Sequence, residues 1–375
     1  MATSPPTLCP SSNRLISADV VRILAMLFIC ICHACGSGQF IQHQESMVGK
    51  AVSLTIAVLA HTGVDLFILI SGYCGVYSTH KTERFFKLWL LVVFFNLLYV
   101  PLSLKAGYYD NPSHIMLQAL PVPLAGGFWF FTAYTGLFIL SPYLNDFIKR
   151  LPHSVHYTLF ASLLFLFCFV NRGNSSTSEI AGTGYNVIWM CALYLVGAIL
   201  RLSPPAWKNS TLIIAALIGL FAQTGTVVLA SLLKAHPFSQ AIPFQLSYTS
   251  PLLVMLAISL FLLLVRMNLQ EWRFAKVVLF LSPLMFGVYI SHSHLCILEH
   301  YITPFLHKFF IVERSADSIG LVVAGLAIFL LGLVASFIQS LVFRLLHADK
   351  CAAVLSKIWA HITQKTILCL FRPKE

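Results

Sequence analysis

Charged residues are scarce in this chain: Asp, Glu, Lys and Arg make up 10% of its 375 residues, and hydrophobic residues make up 58%. A soluble globular domain carries about 25% charged residues. So few polar groups cannot cover a water-facing surface, which excludes an ordinary soluble fold and makes lipid the solvent. No polar stretch is long enough to fold as a second domain. No internal repeat is visible, which weighs against inverted-repeat transporters. The ten cysteines lack the look of a disulfide framework. Cys30, Cys32, Cys35, Cys74, Cys168, Cys191 and Cys296 lie in or beside apolar runs, where cysteine acts as a small buried hydrophobe. The Cys30, Cys32, Cys35 spacing spreads three thiols around a helix axis and argues against a metal site. The net charge of +11 is spread over short loops rather than gathered in a dense patch, so no nucleic-acid partner is expected. A cleavable leader is also lacking: the first apolar run contains Asp19 and Arg22 and reads as a retained span.

What the sequence does contain is a series of apolar runs. A bilayer core about 30 Å thick needs roughly 20 apolar residues of helix. Ten segments qualify: 15–35, 52–76, 85–104, 124–145, 155–171, 185–201, 210–233, 247–267, 275–298 and 318–346. The expected fold class is all-α, a polytopic transmembrane helical bundle of about ten spans. It occupies 15–346, between a cytoplasmic N-terminal segment 1–14 and a polar cytoplasmic C-terminal tail 347–375. Charge supports that count. With the N-terminus in the cytoplasm, 18 of the 24 Lys and Arg residues fall on the cytoplasmic side and 6 on the other. That is a strong positive-inside bias, and one span more or fewer would scramble it.

Ionisable groups inside a span cost a few kcal/mol on insertion scales, about 2.5–3.5, and mark functional positions. In the first span Arg22 and His33 lie eleven residues apart. At 100° per residue they share a helix face to within about 20° and sit about 16 Å apart along the axis. Asp19, three residues before Arg22, is placed to pair with it. Arg22 also lies near the interface, where snorkelling to the headgroups is the alternative. The second span holds His61-Thr-Gly63-Val-Asp65, with His61 and Asp65 one helical turn apart, a spacing suited to a carboxylate that orients a histidine or holds an arginine. The fourth opens Gly126-Gly127-Phe128-Trp129, where a tryptophan is also an ordinary interface anchor. The ninth ends Tyr289-Ile-Ser-His292-Ser-His294. His292 and His294 are two residues apart, so they cannot share a helix face and one of them is expected to face headgroups or water.

Four of these patches resemble the membrane acyltransferase 3 family, which O-acylates bacterial surface polysaccharides. The first span shows that family's Arg-then-ten-then-His pattern in Arg22 and His33, with Asp19 ahead. The second shows its Gly-Val-Asp-Leu-Phe…Ser-Gly signature from Gly63 to Gly72. The fourth carries Trp129 and an aromatic run into Leu140-Ser141-Pro142. The ninth carries Phe286-Gly287-Val288-Tyr289 and His292. They fall in the family's order and span nearly the whole chain. The sequence departs from the family after the second span, where an arginine-rich stretch ending in proline is replaced by Lys81-Thr-Glu83-Arg84-Phe-Phe-Lys87-Leu-Trp89. It also lacks the extracytoplasmic hydrolase-like domain of the longer members.

The resemblance implies transfer of an acyl group, acetyl above all, from cytoplasmic acyl-coenzyme A (acetyl-CoA) to a saccharide or lipid-linked glycan in a bacterial inner membrane. It implies no permanently bound cofactor and no metal. His33 is then the general base, or the nucleophile that carries the acyl group. Arg22, Arg84 and Lys87 hold the phosphates of the donor, and Asp65 or Asp19 balances these cations. His61, Trp129, Tyr289 and His292 are the further substrate-binding candidates. A transporter or flippase for a lipid-linked saccharide, and a purely structural membrane subunit, are the alternatives that a polar interior leaves open.

Overall fold

In a computed structural model the chain is a bundle of α-helices, with residues 14–107, 128–170, 183–232, 246–311 and 317–371 described. No strand occurs among them. Gly126, Gly127 and the outer ends of several expected spans lie outside the described residues.

The helices in chain order are α1 Ile16–Gly38, α2 Met47–His61, α3 Gly63–Gly75, α4 Thr82–Lys105, α5 Trp129–Arg150 and α6 His153–Phe165. They continue with α7 Val187–Leu202, α8 Asn209–Leu232, α9 Pro251–Val265, α10 Ala275–Leu281 and α11 Met285–Ser293. After single helical turns at Leu295–Ile297 and Leu298–Ile302 come α12 Thr303–Phe310, α13 Ser318–Leu345 and α14 Ala348–Phe371. Among the described residues seven stretches are long and apolar enough to cross a membrane, α2 and α3 counting as one and α10 and α11 as one. Two shorter apolar helices, α7 and α9, join them, and α5 is a 22-residue helix whose last turn is basic. Each of the ten expected segments contains a helix within its described residues.

Local chemistry sets several starts. Ser46 and Asn186 accept hydrogen bonds from the backbone N–H groups of Gly49 and Trp189, at 2.9 and 3.0 Å, and Asp317 does the same for Gly320. Each satisfies a donor that the first helical turn leaves open. Pro251 begins α9, where its missing N–H costs nothing.

Two features were not visible in the sequence pattern. The second span is not one regular helix: Thr62 separates α2 from α3, its Oγ1 donating to Leu59 O at 2.7 Å. And the polar tail is helical: α14 packs on the first turns of α4 through Lys87–Asp349 at 2.9 Å and a Thr82–Ser356 hydroxyl contact.

The core sits on α1, which packs against α2, α3, α9, α11 and α13. The closest crossing is between α3 and α7. A Cβ on Gly72 would lie 2.0 Å from Tyr194 O, and one on Gly197 would lie 2.2 Å from Leu69 O. Only the absence of a side chain lets these backbones meet, the small-residue packing that lipid favours. Gly197→Leu is therefore expected to force α3 and α7 apart and cost more than the usual ~1–3 kcal/mol of overpacking. A drop in thermal unfolding temperature in detergent, larger than that of a lipid-facing Ala→Leu control, checks it.

Candidate functional site

Alternation of the spans brings like ends together. The start of α1, the ends of α3 and α7, and the start of α4 form one end of the bundle. That end is basic and contains two cavities that share walls.

The first cavity, about 320 Å³, runs between α1, α3, α4 and α5. Its polar rim carries Arg22, Lys81, Arg84, His80 and Asn145, and its inner wall is Phe67, Phe130 and Phe286. Burial holds the His80 imidazole below its ordinary value, so the positive charge on this rim comes from Arg22, Lys81 and Arg84. The second cavity, about 450 Å³, is lined by Arg14, Arg22, Arg84 and Arg201 with Tyr73 and Tyr77. Arg22, Cys74 and Arg84 belong to both. Among the described residues no carboxylate lines either one.

Asp19 organises the arginines of α1. It is fully buried, and its oxygens accept from Arg14 Nε at 2.6 Å, Arg22 at 2.6 Å and Ser282 Oγ at 2.7 Å. The Asp19–Arg22 pair expected from the i, i+3 spacing is thus formed. Arg22 is anchored beside the cavities rather than held only by headgroups. One carboxylate shared by two guanidiniums leaves net positive charge facing the cavities.

Toward the other end of α1 lies a small third cavity of about 20 Å³, lined by His33, Trp129, Phe130, Tyr248 and Tyr289 among others. It shares Phe67, Phe130 and Phe286 with the first cavity, so these three aromatic side chains stand between the basic chamber and the His33 cavity. His33 Nδ1 lies 2.9 Å from His292 Nε2, and His292 Nδ1 lies 2.6 Å from Val288 O. A carbonyl only accepts, so His292 Nδ1 carries the proton and its Nε2 is a lone pair. His33 Nδ1–H must then donate to that lone pair. His33 Nε2 is left unprotonated, the form a general base needs.

Several expectations change here. Arg22 and His33 border adjoining cavities, but Asp65 lines none of the three. Asp65 is fully buried and turned toward α7, where Oδ1 accepts from Trp189 Nε1 at 3.2 Å. Its Oδ2 and His61 Nε2 have no hydrogen-bond partner among the described residues. His61 and Asp65 do not pair. His61 Nδ1 sits 3.5 Å from Cys32 Sγ, and its ring stacks on Tyr248 at 4.4 Å. Lys87 lines none of these three cavities; three residues beyond Arg84 the helix has turned by 300°, placing it against Glu83 and Asp349 at 3.4 and 2.9 Å. His292 and His294 are both buried, at 3% and 4% exposure. The expectation that one of them faces headgroups or water does not hold, because α11 ends at Ser293 and the chain is extended at His294.

Other residues went unnoticed in the sequence. Tyr248 and Tyr185 stand with Trp129 in an aromatic cluster over the His33 cavity, with ring centroids 4.5–6.1 Å apart. Tyr185 is 49% exposed, so the cluster opens outward at the end away from the arginines. Arg201 was legible only as a loop charge. Among the described residues no group of three His, Cys, Asp or Glu side chains has metal-binding geometry.

The model of the family described as an acyltransferase domain, Acyl_transf_3, matches residues 15–344, nearly the whole chain. No curated protein and no solved structure matches it. The chain belongs to this acyltransferase family.

Proposed function

We propose that this membrane acyltransferase moves an acetyl group from acetyl-coenzyme A to a hydroxyl of a cell-surface saccharide or its lipid-linked precursor. The observation that carries the reading is the arrangement along α1: basic chambers at one end, whose described lining holds no carboxylate, His33 with its Nε2 lone pair toward the other, and Phe67, Phe130 and Phe286 on the wall common to both. A donor with phosphates at one end and a thioester at the other fits that polarity. Arg22 and Arg84, on the wall common to both basic cavities, hold phosphate oxygens as fixed guanidinium forks. The 18-to-6 charge split supports a cytoplasmic position for this end, on the side where acyl-coenzyme A is made.

The acceptor arrives from the other side. Trp129, Tyr185 and Tyr248 form a cluster of tilted rings at the outer mouth, where the exposed Tyr185 offers a surface suited to the C–H face of a sugar ring. His33 Nε2 takes the hydroxyl proton, and the alkoxide attacks the thioester carbonyl. The tetrahedral intermediate expels coenzyme A thiolate, which the imidazolium reprotonates. During the cycle His292, fixed by Val288 O, keeps the His33 ring in one tautomer and accepts a stronger hydrogen bond from the imidazolium. Trp129 and Tyr248 line the same cavity as His33.

The direct test is the purified protein in lipid nanodiscs with acetyl-coenzyme A and the glycans of its own membrane. Release of free thiol that depends on glycan, with a gain of one acetyl mass per glycan repeat, is expected. Transport of glycan across vesicles without thiol release would establish the flippase reading instead.

The size of the His33 cavity sets the acyl length. About 20 Å³ holds little more than one water. Even with side-chain adjustment that favours acetyl, and hexanoyl-coenzyme A is expected to react at least about 10-fold more slowly, each misfit methylene costing ~1–3 kcal/mol. Phe286→Ala, which removes the wall shared with the basic chamber, should narrow that gap in parallel kcat/KM measurements.

A further inference from the structure

Four guanidiniums surround the second cavity, more than an internal diphosphate requires. Arg14 and Arg22 share Asp19, whereas Arg84 and Arg201 have no carboxylate within ion-pair distance among the described residues. Arg201 is nonetheless held in place. It donates to Tyr73 Oη at 3.1 Å, and its guanidinium carbon lies 4.8 Å above the Tyr73 ring and 5.8 Å from that of Tyr77. One N–H and the ring-facing surface are used, and the remaining N–H groups are available to an anion. Like charges fixed around a void of about 450 Å³ repel one another until an anion enters.

We propose that this cavity is a second anion subsite, in which Arg201 with Arg14 binds a phosphomonoester carried at the nucleotide end of the donor. The inference rests on the acyl-coenzyme A reading and deepens it. A donor that threads its pantetheine through the first cavity presents its diphosphate at the shared wall of Arg22 and Arg84. Its 3′-phosphate then lies in the second cavity. That group carries about −1.5 to −2 charge near neutral pH, which matches the two guanidiniums that remain. Arg201 is thereby a specificity-determining residue: it separates coenzyme A from donors that lack the 3′-phosphate. Tyr73 is a positioning residue for it.

The test is binding of coenzyme A and of 3′-dephospho-coenzyme A to the full chain in phosphatidylcholine nanodiscs, by calorimetry. The wild type is expected to bind coenzyme A about tenfold or more tightly than the dephospho form, the size of one charge-assisted contact. Arg201→Gln should bring the two ligands within about twofold of each other while keeping the wild-type affinity for the dephospho form. That second value shows that the variant is folded. Equal binding of both ligands by the wild type, or equal weakening of both by Arg201→Gln, overturns the proposal and leaves the acyl-coenzyme A reading standing. Failure of the wild type to bind either ligand overturns both. A preference that disappears when phosphatidylglycerol is added to the nanodisc assigns the cavity to lipid phosphate and overturns the nucleotide assignment.

Discussion

Alanine at position 33 is expected to lower acyl transfer by about 10²–10⁴-fold, the usual loss when a general base is removed, while the protein still inserts and accumulates. The geometry gives this result a specific form. His33 Nδ1–H is committed to His292 Nε2 at 2.9 Å, so only Nε2 can take a proton from the acceptor. Among the described residues no other imidazole lines the same small cavity: His61 is stacked behind Tyr248, and His292 is turned to Val288 O. Binding of coenzyme A should survive in His33→Ala, because the arginines at the other end of α1 are untouched. His292→Phe should cost less than loss of His33 itself, since it keeps the base and removes only the acceptor that fixes its tautomer. Thiol release at matched protein levels, with donor affinity measured alongside, checks all three statements. Unchanged turnover by His33→Ala would remove His33 from the chemistry and shift weight to the flippase reading.

The part of the site on α1 was legible in the sequence because one rigid helix carries it. Eleven residues at 100° each fix the relative facing of Arg22 and His33 whatever surrounds them, and three residues suffice for Asp19 to reach Arg22. The same arithmetic failed for His61 and Asp65. Spacing shows that two side chains can share a face, not which neighbouring helix covers it. Asp65 faces Trp189 across the tight α3–α7 crossing, a contact between residues 124 apart. Lys87, expected beside the donor phosphates, is turned instead to Asp349 of the unforeseen helix α14. His294 lies past a helix end that sequence boundaries could not locate to one residue. Tyr248 and Arg201 were missed for a different reason: an aromatic and a basic residue at span ends are ordinary topology signals, and their roles arise from what alternating helices bring beside them. The bundle itself was legible throughout, because hydrophobic length alone dictates it.

Arg22→Ala is expected to raise the KM for the donor by about 10–100-fold or more, the loss of one or two charge-assisted contacts, with a smaller change in kcat. Arg22 is 29% exposed, borders both basic cavities and is held by Asp19 at 2.6 Å, so its guanidinium is fixed where a diphosphate would pass. Arg22→Lys keeps the charge but not the planar fork, and a shorter donor set cannot hold Asp19 and bridge two phosphate oxygens together. It should fall between the wild type and Arg22→Ala. If Arg22 only reached for headgroups, lysine, the better snorkelling residue in size and hydration, would be silent. The pair of substitutions also separates binding from folding. Asp19 retains Arg14 at 2.6 Å and Ser282 at 2.7 Å in both variants, so the buried carboxylate is never left without a partner. Both proteins are therefore expected to unfold close to the wild-type temperature. A donor KM that does not move in Arg22→Ala, in protein of unchanged thermal stability, would show that the basic end of α1 does not receive the donor.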